Sequence, residues 1–264
     1  RKITSECVAV MPVHFGGQPV PMDQLMDFAR QNRLKVIEDC AHSAGGAYQG
    51  RNLGTWGDMG CFSFEEKKCM TTGDGGMLVS DDVDLIREIT PSRWVGIDKD
   101  TWKRVGGYTR EEADERHWYY EISQLGYKYN MNDLAAAIGL AQLDKLDGFN
   151  QRRRAIIKRY LDGMAGIEAM QPMLPYDVED GVYWIFGVRC DRRDELIRFL
   201  KAREIATGVH YSPLTMHPLF KPWASPTPVT DEVWQTFVTL PLFPDLTDEE
   251  VDYVVEALRD FSSR

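Results

Sequence analysis

Nothing in the 264 residues approaches the ~20 consecutive apolar positions of a membrane-crossing helix, and Arg1 to Ser5 carry no apolar block like that of a secretory leader. No membrane partner is expected, and the chain reads as cytoplasmic. Positive charge is also scarce: 31 Lys and Arg face 41 Asp and Glu, a formal net charge of −10. Such a surface repels phosphate backbones, so nucleic acid is not an expected partner. The five cysteines (Cys7, Cys40, Cys61, Cys69 and Cys190) include no C-x-x-C pair, and most lie in apolar runs such as Gly60-Cys61-Phe62. That pattern argues for reduced, buried thiols and against a disulfide framework or structural zinc. His14, His117 and His217 are scattered, with no carboxylate or cysteine at ligand spacing, so no metal site is expected. P-loop, G-x-G-x-x-G and G-x-S-x-G motifs are missing, as are repeats and low-complexity tracts.

What remains is a globular composition, 43% hydrophobic and 27% charged, sufficient for one large domain or two modest ones. The first half alternates strand and helix patterns. Val8 to Val13 is an apolar run; Leu25, Phe28 and Ala29 share a helix face; Leu34 to Ile37 is a second run ending at Glu38-Asp39. This order predicts a parallel strand pair, and chemistry in open parallel sheets gathers beyond the carboxyl ends of the strands, where Asp39 stands. Short strands are expected at Cys61 to Phe64 and Met77 to Val79, and residues 91 to 120 read as a long surface excursion. A long helical pattern starts at the capping candidates Asn132 and Asp133, with Gly148 as its weak point and Gly163 as its end. Beyond it, Val182 to Cys190 predicts a strand, Arg193 to Arg203 an amphipathic helix, and Ile205 to Tyr211 a second strand. Thr247-Asp248-Glu249-Glu250 predicts a capping box opening a last helix through Leu258. The expected division is a large α/β domain over 1–150 and a small α+β domain over 151–264.

The most informative stretch runs from Cys61 to Gly76. A lysine between a strand and a glycine-rich turn can be held in a pocket where desolvation or a nearby cation frees its amine for Schiff-base chemistry. Ser63, at the same strand end, can donate its hydroxyl to a phosphate. The spacing also fits Lys67 and Lys68 as solvated charges paired with Glu65 and Glu66, and Gly73, Gly75 and Gly76 as a plain tight turn. Asp39 can hold a pyridine nitrogen protonated, as an electron-sink ring requires, with His42 reaching that ring from the same side. A capping aspartate and a core histidine fit those two positions as well. Arg152-Arg153-Arg154 reads as a solvated helix face or a subunit contact.

The runs Val13-His-Phe-Gly-Gly-Gln18, Val36-Ile-Glu-Asp-Cys-Ala-His42 and Gly60-Cys-Phe-Ser-Phe64, then Lys68 and Thr72-Gly-Asp-Gly-Gly76, resemble the DegT/StrS family of sugar-nucleotide aminotransferases. So do Gly126-Tyr-Lys-Tyr-Asn-Met131, Thr207-Gly-Val-His-Tyr211 and Leu240-Pro-Leu-Phe-Pro244, in the family's order and over essentially the whole chain. The resemblance implies an α/β protein of PLP fold type I, like aspartate aminotransferase. An incomplete, mostly parallel large-domain sheet would join a small α+β domain, with a family N-terminal portion expected before Arg1.

By the same resemblance, Lys68 and not Lys67 forms the internal aldimine with pyridoxal 5'-phosphate (PLP). Asp39 pairs with the pyridinium nitrogen, His42 lies near the ring and its 3-oxygen, and Ser63 binds the phosphate. Lys128 falls where many members have an asparagine reaching the neighbouring subunit's cofactor phosphate, with Asn130 two residues on, which implies a homodimer. His210 and Tyr211 match a small-domain segment beside the cleft and are the substrate candidates. The implied reaction moves an amino group from an amino acid, L-glutamate, to a nucleotide-linked keto sugar in amino-sugar biosynthesis, with Lys68 as general base and acid. Two alternatives stand beside it. A sugar dehydratase relative dependent on pyridoxamine phosphate (PMP) typically replaces the lysine by histidine; a degenerate, non-catalytic relative would not be expected to keep Asp39, Ser63 and Lys68 together. Glu65-Glu66 near the phosphate site and Cys69, where asparagine is common, depart from the family pattern.

Overall fold

The computed structural model describes residues 3–97, 120–179 and 181–264. Strand β1 (Ala9–Val10) leads through a turn at Phe15–Gly17 and helix α1 (Met22–Asn32) into β2 (Lys35–Asp39), with Ala9 beside Lys35 in parallel register. The helix buries Met22 and Ala29 and ends on Arg33 in the left-handed conformation. A small hairpin, β3 (Ala47–Tyr48) with β4 (Arg51–Asn52), precedes β5 (Met59–Ser63), which runs parallel to β2 with Asp39 beside Cys61. Strand β6 (Gly76–Val79) returns antiparallel to β5, completing a mostly parallel sheet of order β1-β2-β5-β6. Asp39 and Ser63 therefore stand on neighbouring strands at the same, carboxyl end.

Helix α2 (Val83–Ile89) follows, capped by the Asp82 carboxylate. The expected excursion over 91 to 120 lies largely outside the described residues, as does His117; its described ends meet in bridges from Trp94 to Lys128 and from Ile97 to Ile122. Asn132 does cap a helix, α3 (Asp133–Leu143), accepting the Ala135 N–H at 2.9 Å. The long helix expected from there is two helices. It breaks at Asp144-Lys145, and Gly148 lies inside α4 (Leu146–Met164). The break separates two environments: Leu134, Leu140 and Leu143 of α3 are exposed, whereas Leu146 turns into the core beneath the Lys68 loop.

The second half carries an antiparallel sheet of β7 (Gln171–Pro172), β8 (Phe186–Arg189) and β9 (Phe237–Leu240), covered by α5 (Arg193–Lys201) and α7 (Asp248–Ser262), with α6 (Pro228–Thr236) leading into β9. The capping box opens α7 as expected: Glu250 N–H reaches Thr247 Oγ1 at 3.1 Å and Thr247 N–H reaches Glu250 Oε2 at 2.8 Å. Two strand expectations need correcting. Ile205 to Tyr211 is not a strand, because only Gly208 pairs, with Thr239 on the edge of β9 away from β8. Residues 182–185 are also not strand; they pack instead against the Phe15–Gly17 turn. The core of this half gathers Ile156, Ile157 and Tyr160 of α4 with Phe186, Val188, Leu196, Val251 and Leu258; Tyr160 stacks on Phe186 at 4.9 Å. Each such side chain contributes about 1.5–3 kcal/mol on burial. Because Leu146 belongs to the first half's core and Ile156 to Met164 to the second's, α4 spans the expected boundary near residue 150.

The arginine triplet is not a solvated face. Arg152 pairs with Asp248 at 2.7 Å, buried Arg153 donates to the Cys69 carbonyl at 3.4 Å, and Arg154 donates to the Gly181 carbonyl at 3.1 Å. All five cysteines are free thiols; Cys40, Cys69 and Cys190 are buried, Cys7 and Cys61 half-buried.

Beneath the sheet's carboxyl end, the fully buried Glu38 carboxylate accepts the N–H groups of Gly54 (2.8 Å), Trp56 (2.7 Å) and Gly57 (2.8 Å), and the His14 Nε2–H at 3.2 Å. His14 Nδ1 accepts the Val20 N–H at 3.1 Å, which places the imidazole proton on Nε2. Burial alone raises a carboxyl pKa, but His14 and the three amides outweigh it and hold Glu38 below its usual range. Sequence spacing put no carboxylate or cysteine beside His14, but the fold does. The ligand atoms of His14, Glu38 and Cys40 lie within 4.8 Å of one another, because strand alternation puts 38 and 40 on one face and Val13 bridges to Asp39. Protein donors and acceptors already occupy both nitrogens of His14 and both oxygens of Glu38. The Cys40 thiol, pushed up to about 12 by burial and then by the Glu38 charge, stays protonated. The cluster holds the fold and offers no ligand set.

Glu38→Ala leaves these donors unpaired in the interior and should cost about 3 kcal/mol or more, read from chemical unfolding; an unchanged midpoint would contradict the hub. The sign with pH follows from the lowered pKa. Glu38 stabilises fully above its ordinary 4.5 and progressively less as pH falls through its folded value, so Glu38→Gln should lose that part of the acid dependence.

Candidate active site

The segment after β5 closes on itself: Phe64 N–H donates to the Gly75 carbonyl at 2.8 Å and Thr72 N–H donates to the Phe64 carbonyl at 2.9 Å. Phe64, Cys69 and Met70 bury their side chains and anchor the loop. A Cβ on Gly75 would overlap Thr72 Oγ1, so that glycine serves close packing of the turn. The two lysines then part company. Lys67 points outward, its ammonium 3.6 Å from Glu66 with both side chains exposed, the solvated pair that the spacing allowed. Lys68 points inward and is half-buried, with Nζ 4.5 Å from the centroid of the Trp184 indole. Among the described residues no carboxylate lies within ion-pair distance of it.

Beyond β2, Asp39 Oδ1 accepts the Ala41 N–H at 3.0 Å, and the short turn delivers His42 into the interior. The His42 ring stacks on the Trp184 indole, centroids 4.1 Å apart and planes 20° off parallel. Its Nδ1 accepts the Gly16 N–H at 3.2 Å, so the neutral ring carries its proton on Nε2. Burial, followed by the Lys68 charge, lowers the His42 pKa to about 4; Asp39 opposes the shift and His210 adds to it. Lys68, Asp39 and His210 thus all act on one imidazole.

Trp184 was not among the residues expected here, since within an apolar run it reads as core. Its indole is half-buried, and its backbone N–H donates to the Gly16 carbonyl at 3.0 Å. One peptide, Gly16, therefore binds both halves of the stack. Such an approach needs glycine twice: Gly16 and Gly17 have φ of 64° and 99°, and a Cβ on Gly17 would overlap the Val182 carbonyl. Trp184 Nε1 donates to the Lys67 carbonyl at 2.6 Å. His210 lies edge-on to the indole at 5.2 Å, with Nδ1 2.9 Å from Thr239 Oγ1 of β9; burial, then Lys68 and Lys67, lower its pKa. Tyr211 lies roughly parallel to the indole at 6.3 Å and is 53% exposed, its pKa raised by burial and by Glu65.

Ser63 sits at the end of β5, and among the described residues its hydroxyl is engaged only by a long contact, the Glu65 N–H at 3.4 Å. Lys128 and Asn130 form a separate group. Lys128 Nζ donates to Asn130 Oδ1 at 2.9 Å and lies 4.1 Å from the Trp94 ring centroid, beside exposed Tyr127 and Tyr129.

The chain matches the model of the DegT/DnrJ/EryC1/StrS aminotransferase family over residues 1–259. It is 35% identical to the spore coat polysaccharide biosynthesis protein SpsC of Bacillus subtilis, across 98% of this chain and 67% of that protein. Among solved structures, DesV of S. venezuelae in complex with a ketimine intermediate is 30% identical, with a TM-score of 0.85 over 99% of this chain and 67% of DesV. Spr1654 of Streptococcus pneumoniae in its PMP form is 28% identical, with a TM-score of 0.86 over 99% of this chain and 71% of Spr1654.

The His42 environment makes a direct prediction. One histidine resonance should titrate with a midpoint of about 4 by NMR and vanish in His42→Gln. Because the unfolded chain takes that proton first, near its ordinary 6.5, His42 leaves the fold unpenalised above pH 6.5 and costs it stability as pH falls toward 4. A midpoint near 6.5 would mean that water reaches the ring.

Proposed function

The chain belongs to the DegT/DnrJ/EryC1/StrS aminotransferase family, and from that premise we propose that it moves an amino group from L-glutamate to the keto group of a nucleotide-linked sugar, with PLP held on Lys68. The observation that carries this reading is the Lys68 ammonium turned inward onto an aromatic stack, with no carboxylate among the described residues in ion-pair distance, and with the charges of Asp39 and Lys68 both acting on His42. The name of SpsC, a polysaccharide biosynthesis protein, supports a sugar acceptor, and the PMP form of Spr1654 supports the cofactor.

The donor set fits PLP. Asp39 offers an anionic carboxylate at a strand end for a protonated ring nitrogen, and Ser63 offers a hydroxyl held only by a long contact for the phosphate. His42, neutral and protonated on Nε2, has a donor for the ring's 3-oxygen. When bound, PLP supplies a pyridinium ring that accepts the electrons left at the donor's α-carbon as its proton departs. With its amine freed when the donor's amine takes its place, Lys68 would accept that α-carbon proton on Nζ and give it back, serving as base and then as acid. The stack of His42 on Trp184 lies against the Lys68 ammonium and gives it an aromatic face to rest on. His210 and Tyr211 at the open rim face the incoming substrates.

On this reading residues 1–150 form the cofactor-holding domain and 151–264 the smaller one, with α4 running from one core into the other. The enzyme works as a homodimer. Leu125 is 85% and Leu134 80% exposed, and Tyr127, Tyr129, Ile138 and Leu140 are exposed too, apolar surface that suits an interface. A second copy covers it, bringing Lys128 and Asn130 toward the partner's phosphate. Among the described residues no helix is long and apolar enough to cross a membrane, and we place the protein in the cytoplasm.

Lys68→Ala should abolish the visible absorbance of lysine-bound PLP and lower kcat about a thousandfold or more; turnover within tenfold of wild type would refute the assignment. Mixing Lys68→Ala with Lys128→Ala chains should yield more activity than either parent, since one mixed dimer site keeps both lysines. A fully active monomer by light scattering would rule out the shared site.

A further inference from the structure

We infer that Trp184 is the positioning residue of this site, a dock that holds the unattached Lys68 side chain and the His42 ring in one stack; the inference rests on the role proposed for Lys68. Three features separate Trp184 from an ordinary core aromatic. Its neighbours Val182, Tyr183, Ile185 and Phe186 are buried, whereas the indole is only half-buried and so is not placed by burial alone. Both ends are fastened: the backbone N–H to Gly16 at 3.0 Å and Nε1–H to the Lys67 carbonyl at 2.6 Å. The indole meets two of the proposed working groups directly, the His42 ring at 4.1 Å and the Lys68 ammonium at 4.5 Å.

Holding the Lys67 carbonyl and the Lys68 ammonium together means that one side chain governs both the root and the tip of the lysine. A lysine stem has four rotatable bonds, and without a partner its amine samples a wide volume of solvent. A carboxylate would tether it strongly, whereas an aromatic face holds a cation loosely and without a fixed direction. That suits a group that must leave and return in every cycle while staying within reach of the same atoms. The same indole covers His42, whose other charged neighbours are Lys68, Asp39 and His210. Gly16, bonded to the His42 ring and to the Trp184 backbone, ties the two residues together.

The test uses cofactor-free protein first. Competitive acetylation mapped by mass spectrometry should label Lys68 several-fold more slowly than its exposed neighbour Lys67 in the wild type. In Trp184→Leu that difference should vanish, and the His42 midpoint should climb from about 4 toward the ordinary 6.5. Trp184→Phe, which keeps a ring face but not the N–H, should retain most of the protection and most of the His42 shift. With PLP restored, Trp184→Leu should lose about tenfold or more in kcat while the KM for the amino donor moves little. Equal labelling of Lys67 and Lys68 in the wild type overturns the inference without any variant, and so does a Trp184→Leu protein whose labelling and His42 titration match wild type. If labelling and titration behave as stated but the wild type transfers no amino group, the proposed function fails and the dock stands.

Discussion

Four donors converging on the buried carboxylate of Glu38 form the constraint on which the rest of this architecture depends. A charge sealed from water is tolerated only when every oxygen is occupied, so the partners must come to it. The 54–57 turn is drawn in and sets where β5 begins, which in turn places Ser63 at its far end. His14 is drawn in from the other side and sets where the chain turns at Phe15–Gly17. The Gly16 peptide is then positioned to donate to His42 and accept from Trp184. A structural carboxylate one residue before Asp39 thus reaches the candidate site through two short covalent paths.

The site itself is organised by what is left unpaired. Lys67 finds Glu66 in solvent and is spent as a surface charge, while Lys68 rests on the Trp184 indole. His42 is kept neutral by burial and by that same ammonium, so its tautomer follows from the Gly16 amide. A neutral donor beside a cation adds no further positive charge to a small cleft, which leaves Lys68 as its mobile cation.

Two cores meet at this cleft. Strand ends of the parallel sheet supply Asp39 and Ser63, and the antiparallel half supplies Trp184, His210 and Tyr211. Helix α4 belongs to both, and its three consecutive arginines tie it to α7, to the Lys68 loop and to Gly181. Neighbouring α3 leaves Leu134, Leu140 and Leu143 exposed.

What could be read from residues alone was whatever depends on near neighbours. The α1 helix, the run into β2, the Asn132 cap and the Thr247 capping box rest on contacts within a few positions, and each formed where its pattern stood, although the α1 face buries Met22 and Ala29 and leaves Phe28 exposed. The convergence of Asp39, Ser63 and the Lys68 loop at one sheet end was legible too, because parallel strands have only one carboxyl end. Long-range packing decided the remainder. Ile205 to Tyr211 has the composition of a strand, but it meets the open edge of β9 at one residue, Gly208 with Thr239, a long-range contact no local window contains. Lys67 and Lys68 are adjacent and chemically identical; only the burial of Phe64, Cys69 and Met70 turns one outward and the other onto an indole 116 positions further along the chain. His14, Glu38 and Cys40 looked scattered because a strand's alternation and a cross-strand bridge, not sequence distance, bring them together. Trp184 stayed hidden for the same reason: its role comes from Gly16, His42 and Lys68, all distant in sequence, and side-chain identity in an apolar run carries no record of what the ring will face.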